Sequence, residues 1–241
     1  MHRAGKAGAV LASAAVALSF GIVLVRASPA AGDTEDHYKP ANTQITGTAT
    51  GTPTGCPTTG RPTGTFTCFS VPGKAPTLTV YCKHSTSGAH TPATGLGLMN
   101  VSPLVVFDDG GSPPKPCTDS LGGNDTTKVQ GVWKIGGLDR ANDETGTGST
   151  EPNTGDRAEV VVPQHGAIVT TSQGCQITVA PSGPYTAIGT YDDHSKFIVN
   201  VTNVPVVVSK LKTSCPLPAA VTIMSTFSAT YIFNPPLSDA S

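Results

Sequence analysis

Residues 175–208 read CQITVAPSGPYTAIGTYDDHSKFIVNVTNVPVVV, and this stretch decides the fold class. It contains four short runs rich in Val, Ile, Thr and aromatic residues, separated by Gly, Pro, Asn or Asp. Runs of this length and composition predict β-strands, because β-branched side chains favour an extended backbone and pack well on a pleated surface. None of them has the 3.6-residue periodicity of an amphipathic helix.

The same pattern recurs outside this stretch. Further strand-like runs cover residues 63–71, 77–82, 98–107, 127–135, 158–162, 166–171 and 227–233. The 27 Gly and 21 Pro supply turns between them. We therefore expect an all-β fold, an antiparallel β-sandwich or barrel-like sheet of about ten to twelve short strands. Within 127–135 the alternation places Trp133 in the core or half-buried.

The first thirty residues predict a secretory signal peptide. Arg3 and Lys6 precede an uncharged, largely apolar run from Ala7 to Val25, and small residues follow at positions suited to cleavage after residue 30. We expect a secreted protein, extracellular or associated with the cell envelope, with no stable membrane insertion after cleavage. The run has 19 residues, so an uncleaved anchor is the alternative.

The charge of the mature chain excludes one class of partner. Removing residues 1–30 takes away three of the 15 Lys and Arg and none of the 16 Asp and Glu, which leaves 12 against 16. Nucleic-acid binding needs a concentrated basic face, and a net charge of −4 without basic clusters offers none. We expect an unknown extracellular or cell-wall ligand, and no cofactor.

Six cysteines behind a signal peptide predict disulfides, because exported thiols pair in oxidising compartments. Metal binding lacks support, since the chain has no CxxC pair. Six cysteines allow 15 pairings, and their spacing cannot select one. Our expectation is that nearest neighbours in sequence pair, as Cys56–Cys68, Cys82–Cys117 and Cys175–Cys215.

Composition divides the rest of the chain. The expected segments are a disordered Thr/Gly/Pro-rich spacer at 31–62, a β-domain at 63–236 and a tail at 237–241. The β-domain has two possible halves, 63–138 and 157–236, joined by a polar loop at 139–156. In that loop Asp139, Asp143 and Glu144 are weak candidates for calcium ligands, but their spacing fits no EF-hand, and a solvated loop is the favoured interpretation.

The C-terminal portion resembles a known group of proteins. The segments that carry the resemblance are Gly174-Cys175-Gln176-Ile177-Thr178-Val179, Ile188-Gly189-Thr190-Tyr191, Thr213-Ser214-Cys215, Phe227-Ser228-Ala229-Thr230-Tyr231 and the tail Asn234-Pro235-Pro236. Together they resemble the small Thr/Gly-rich secreted proteins of actinobacteria, an uncharacterised family, over about residues 174–236. The resemblance implies secretion, an all-β fold and a bridge between Cys175 and Cys215. It brings no catalytic motif.

Adjacent carboxylates are the weak candidates for catalysis. Asp108-Asp109 ends one strand-like run, and Asp192-Asp193 precedes His194 in YDDHSK. Two carboxylates could serve a glycosidase, and the histidine could act as a base. However, residues 192–195 also suit a four-residue hairpin loop built on a type I turn, in which Asp and Ser bond their own backbone. We favour the hairpin loop.

Other catalytic and metal signals are weak. There is no G-x-S-x-G, no HExxH and no phosphate-cradling glycine loop. His84 and His90 lie in KHSTSGAH, a loop-like segment that could hold surface copper or zinc, although solvated histidines are the favoured interpretation. We expect a secreted non-catalytic β-domain with a structural, adhesive or binding role. The alternative is a secreted hydrolase of glycans or esters that uses Asp108 or Asp192 with His194.

Overall fold

The computed structural model describes residues 37–39, 41–73, 77–91, 99–101, 106–139, 157–193, 196–236 and 238–240. These residues form 17 strands. The strands are β1 His37–Lys39, β2 Gln44–Ala49, β3 Thr67–Val71, β4 Leu78–Cys82, β5 His84–His90, β6 Met99–Val101, β7 Val106–Asp108, β8 Cys117–Asp119, β9 Asn124–Val129, β10 Trp133–Asp139, β11 Arg157–Val162, β12 Ala167–Thr170, β13 Cys175–Val179, β14 Tyr185–Asp193, β15 Lys196–Lys210, β16 Thr222–Asn234 and β17 Ser238–Ala240. Over the same residues, no helix is long and apolar enough to cross a membrane.

The two longest strands, β15 and β16, form an antiparallel pair that runs from Lys196 opposite Ile232 to Val207 opposite Thr222. The register shifts between Val201 and Val204. Buried positions are odd-numbered before this shift, as at Phe197, and even-numbered after it, as at Val206. A strand that keeps strict alternation would turn its second half outwards, so the irregularity lets both halves of β15 face the interior.

Strand pairing closes two circuits on this pair. The first circuit runs β2–β16–β15–β14–β11–β10–β6–β5 and back to β2, a closed barrel of eight strands. The second circuit runs β16–β3–β4–β8–β9–β12–β13–β15 and back to β16. All the pairings are antiparallel, and both circuits contain β15 and β16. The fold is therefore all-β and barrel-like, as the sequence predicts.

The two circuits do not correspond to the two expected halves of the chain. Each circuit takes strands from both 63–138 and 157–236, as when β9 pairs with β12 and β10 pairs with β11. The division into halves is therefore wrong. Strand β7 pairs with β5 and lies outside both circuits, and β1 pairs with β17 as a separate two-stranded sheet.

Each circuit has its own apolar cluster. The second circuit contributes the larger one, with Leu78, Ile177 and Leu217 fully buried, while Ile45 and Phe197 lie in the cluster of the first circuit. The clusters meet at five partly buried residues that pack against both: Phe107, Trp133, Val160, Val201 and Phe227. Trp133 is thus half-buried, as the alternation of 127–135 predicts.

The three disulfides are Cys56–Cys68, Cys82–Cys117 and Cys175–Cys215, the pairs of nearest neighbours in sequence. Among the described residues no cysteine is free. The second and third bridges close loops of 35 and 40 residues on the second circuit. In the chain-entropy picture each stabilises the fold by roughly 4 kcal/mol through the unfolded state.

The expectation of a disordered spacer at 31–62 is wrong for the part that forms a strand. Residues 44–49 form β2, which hydrogen-bonds to both β5 and β16 and closes the first circuit. Its buried positions are Ile45, Gly47 and Ala49, alternating with exposed ones. Only one of these side chains is large, so the sequence of β2 lacks the apolar alternation that would predict a strand. The ring of Phe233 lies against Gly47, where a Cβ would meet it.

Two further sequence expectations also differ from the structure. The loop-like KHSTSGAH contains β5, because its small polar residues pair along β2 and the Ser85 hydroxyl bonds the Tyr231 hydroxyl at 2.9 Å in the interior. The run 127–135 is two strands rather than one. Gly131 has a positive φ of 67° and turns the chain from β9 in the second circuit to β10 in the first.

Packing at Gly189 provides a test of the first circuit. A Cβ at Gly189 would overlap the ring of Phe197, which is 1% exposed. We predict that Gly189→Ala lowers the free energy of unfolding by about 1–3 kcal/mol, because a buried ring must move. Urea denaturation measures the change.

Gly183→Ala is the matched control, since nothing lies within 4 Å of its added Cβ. It should leave the free energy of unfolding within about 1 kcal/mol of wild type. Equal effects of the two substitutions would contradict the packing described for Phe197.

Candidate functional site

A cavity of about 130 Å³, partly open to solvent, lies where the two circuits meet. Strands of both circuits and the shared pair β15–β16 contribute to its wall, which is almost entirely apolar. Val80 and Val169 line it from the second circuit, and Ile135 and Ala187 from the first. An eight-stranded barrel is just wide enough for side chains to fill or for one small ligand to occupy, so a cavity here has the size that the architecture permits.

Aromatic side chains dominate the wall. Seven lining residues are aromatic: Phe69, Phe107, Trp133, Tyr185, Phe197, Phe227 and Tyr231. The whole chain has only 7 Phe, 5 Tyr and 1 Trp, so the scarce aromatic residues concentrate here. Phe107 and Phe227 meet edge to face, with ring centroids 5.8 Å apart and planes at 84°. Edge-to-face contact is one of the two geometries that aromatic pairs prefer.

The polar atoms of the aromatic wall are largely occupied within the protein. The indole Nε1 of Trp133 donates to the carbonyl of Gly166 at 2.9 Å, and the Tyr231 hydroxyl bonds Ser85. Burial raises the pKa of Tyr231 to about 12, although the bond to Ser85 lowers it, and burial also raises the pKa of Tyr185. Both phenols are therefore neutral at physiological pH, and the wall presents mainly carbon to an occupant.

Small side chains leave the space open. Ala167 and Ala187 are buried and line the cavity on β12 and β14. Larger apolar residues stand elsewhere on the same strands, such as Val169 on β12. Compared with a larger apolar residue, alanine at an inward position leaves space unfilled. The neighbouring strands are held by ladder hydrogen bonds and cannot move close enough to fill that space.

Asp108 and Asp109 lie apart from this cavity wall and fasten β7 to β5. Asp108 is the cross-strand partner of His84, and its Oδ1 accepts from the ring Nδ1 of His84 at 2.9 Å and from the amide of Gly110 at 2.7 Å. Asp109 Oδ1 accepts from the amide of Lys83 at 3.1 Å, and its Oδ2 lies 3.8 Å from Lys83 Nζ. The first candidate carboxylate pair therefore holds an edge strand that carries Phe107 to the cavity.

The second carboxylate pair lies on a different strand. Asp192 and Asp193 belong to β14, and Asp193 pairs with Lys196 across the β14–β15 hairpin. The expected four-residue loop at 192–195 is therefore too long: only two residues connect the strands, after a register shift between Tyr191 and Asp193. His194 lies outside the described residues. In the pairing order β14 stands between β11 and β15, whereas β7 pairs with β5.

The candidate metal ligands do not assemble in the part of the chain that the structure describes. His84 and His90 stand at opposite ends of β5, about 20 Å apart at the rise of a strand, so they cannot share one ion. Asp139 ends β10, while Asp143 and Glu144 lie outside the described ranges. No group of three or more His, Cys, Asp or Glu able to hold a metal occurs among the described residues.

Sequence reasoning missed both His84 as a partner of Asp108 and the cavity. The small residues in HSTSGAH are a weak signal for the His84–Asp108 contact, because they would place His84 at the start of a strand. The lining residues come from many strands distant in sequence, and no local pattern specifies which of them face a shared space.

Removing the Asp108 carboxyl tests its positioning role. We predict that Asp108→Ala lowers the free energy of unfolding by about 1–3 kcal/mol, because it leaves the half-buried Gly110 amide and the His84 ring without their acceptor. His84→Ala should cost less, since that ring is 42% exposed and Asp108 keeps the Gly110 amide. Chemical denaturation of both variants measures the difference, and an equal loss would contradict this role.

Comparison with known proteins adds no family to this description. No protein-family profile, no curated protein and no solved structure matches the chain. The chemistry of the cavity and of its surrounding strands therefore provides the basis for a functional proposal.

Proposed function

We propose that the protein is a secreted, non-catalytic binding domain, and that its interior cavity holds a small, uncharged, apolar ligand. The observation that carries this proposal is the cavity of about 130 Å³, walled by aromatic and aliphatic side chains at the meeting point of the two circuits. Apolar cavities with few polar groups are the usual form of small-molecule sites, and barrel interiors are a common place for them.

The cost of an empty cavity supports an occupant. Protein interiors pack as densely as organic crystals, and a buried void costs about 24 cal/mol per Å³. By that measure, filling 130 Å³ of apolar space gains at most about 3 kcal/mol. This is a large fraction of the free energy of unfolding of an ordinary domain, about 5–15 kcal/mol. A ligand that fills the space recovers the missing contacts.

The volume limits the ligand. An apolar cavity of about 150 Å³ in another protein stays dry and accepts benzene, so a cavity of this size suits roughly six to nine heavy atoms. A long acyl chain is too large. The edge-to-face geometry of Phe107 and Phe227 suits a flat ring, because a third ring can continue the same packing.

The lining residues favour binding over catalysis. No carboxylate and no histidine is among the described residues of the wall. Asp108, which the hydrolase alternative pairs with His194, already accepts hydrogen bonds from His84 and Gly110. The titratable side chains of the wall are Lys134, which is exposed, and Tyr185 and Tyr231, whose pKa is raised by burial so that both phenols stay protonated.

Secretion is part of the proposal. The three disulfides suit an oxidising compartment, where such bridges form and persist. They join the residues around β3, β4 and β13 on the second circuit and support its side of the cavity wall. A binding role outside the cell, or at its envelope, is consistent with a small ligand that diffuses freely.

Ligand titration of the oxidised protein tests the proposal. We predict saturable binding of benzene and indole, seen as chemical-shift changes of the lining methyl groups and as a rise in melting temperature, because a ligand that binds only the folded state stabilises it. Hexadecanoate, which exceeds the cavity volume, should not bind there.

A cavity-filling variant provides the control. Ala187→Leu should abolish binding of both rings, because its side chain occupies the cavity. Thr186→Leu places the same side chain on the exposed face of the same strand and should bind them as wild type does. Absence of saturable binding to the wild type, or equal binding by the two variants, would overturn the proposal.

A further inference from the structure

A pair of buried carboxyl groups lies at the turn between β8 and β9, outside the cavity wall. Asp125 is 0% exposed and Asp119 is 6% exposed. Both lie on the same face of the β8–β9 hairpin, where Cys117 is the partner of Asp125 and the amide of Asp119 donates to the carbonyl of Gly123. Residues at diagonal positions of an antiparallel pair are within reach of each other's side chains.

One oxygen of each carboxyl holds a turn. Asp119 Oδ1 accepts from the amides of Leu121 at 2.7 Å and Gly123 at 2.9 Å, which fixes the β8–β9 turn. Asp125 Oδ1 accepts from the amide of Ser172 at 3.4 Å, in the turn between β12 and β13. The pair therefore bridges two turns at one end of the second circuit.

The other oxygen of each carboxyl has no donor from the rest of the described chain. Asp119 Oδ2 and Asp125 Oδ2 are both buried without such a partner. A proton on one of these carboxyls would let it donate to the other, whereas two carboxylates have no hydrogen to share. Leaving two buried anions side by side would cost several kcal/mol through lost hydration and mutual repulsion.

Among the residues that the structure describes, the elements around the pair supply no counter-charge. The β12–β13 turn contributes Ser172 and Gln173, which do not ionise, and the space beside Gly123 is filled by their side chains and by Asp119 Oδ2. Lys212, beyond the end of β15, donates its Nζ to the carbonyl of Ser172 at 3.5 Å instead of to a carboxyl. Lys128 on β9 is exposed.

We propose that Asp119 and Asp125 share one proton, and that this proton fastens the β8–β9 turn to the β12–β13 turn as a pH-sensitive clasp. When the pair loses the proton, the two like charges separate by opening this end of the second circuit. The strands of the first circuit and the three disulfides keep their places.

The direction of the pH effect follows from the pKa. Burial first, then the charge of Asp119 and a hydrogen bond that protonated Asp125 donates to Asp119, raise the pKa of Asp125 from 3.8 to about 8, whereas the hydrogen bond from the Ser172 amide lowers it. The folded state therefore holds the proton more tightly than the unfolded chain does. The stabilisation is complete below about pH 4 and is lost as the pH rises through 8.

Carboxyl ¹³C NMR of the oxidised full chain tests the shared proton directly. The Cγ of Asp125 should titrate near pH 8. Amide exchange at residues 119–125 and 171–174 should rise over the same pH interval. Titration of Asp125 near pH 4, or amide exchange that does not change with pH in these turns, would overturn the proposal.

Variants give an independent measurement. From pH 5 to pH 8 the unfolding equilibrium constant of the wild type should rise by roughly a hundredfold or more from this pair, and Asp125→Asn should remove that rise because the amide cannot ionise. Glu159→Gln should leave it unchanged. If Asp125→Asn fails to fold, the NMR titration of the wild type still tests whether the two aspartates share a proton.

A melting experiment with calcium distinguishes a shared proton from a bound cation. Because carboxylate oxygens also suit this ion, the wild type is melted with 1 mM calcium and with EDTA. Equal melting temperatures support the shared proton. A rise with calcium that Asp125→Asn abolishes would overturn it in favour of a cation site.

Discussion

The hydrogen-bonded pair β15–β16 is the constraint on which the rest of the structure depends. A barrel normally closes by pairing its first and last strands, but here two circuits close on the same two strands. Both halves of β15 must therefore face inwards, which the register shift between Val201 and Val204 makes possible. Without that irregularity, either Phe197 or Val206 would point to solvent, and one circuit would lose its apolar face.

Sharing a wall has consequences for packing. Side chains from two circuits approach the same space, and five residues belong to the edges of both apolar clusters. A single barrel can adjust its shear and tilt to fill its interior. Two circuits that share the same two strands have less freedom to make such adjustments. The cavity lies at this junction, and small residues such as Ala187 line it.

The strands that could be predicted are those whose burial depends on β-branched residues, such as β13, β15 and β16. Strands β2 and β5 escaped prediction because their inward positions hold Gly47, Ala49 and Ser85, which fit a crowded interior but give no apolar alternation. The aspartate pair escaped for another reason. Asp119 and Asp125 look like ordinary turn residues, and only the tertiary contact with Ser172 removes them from water.

The position of β16 near the end of the chain has a consequence for how the protein reaches its final state. Neither circuit can close before residues 222–234 are available, since both need this strand. During synthesis the preceding strands emerge first with unpaired edges, which makes them targets for chaperones, proteases and neighbouring chains. Closure then occurs in one late step that joins distant parts of the sequence, so a prematurely terminated chain would have no folded core to protect it from degradation.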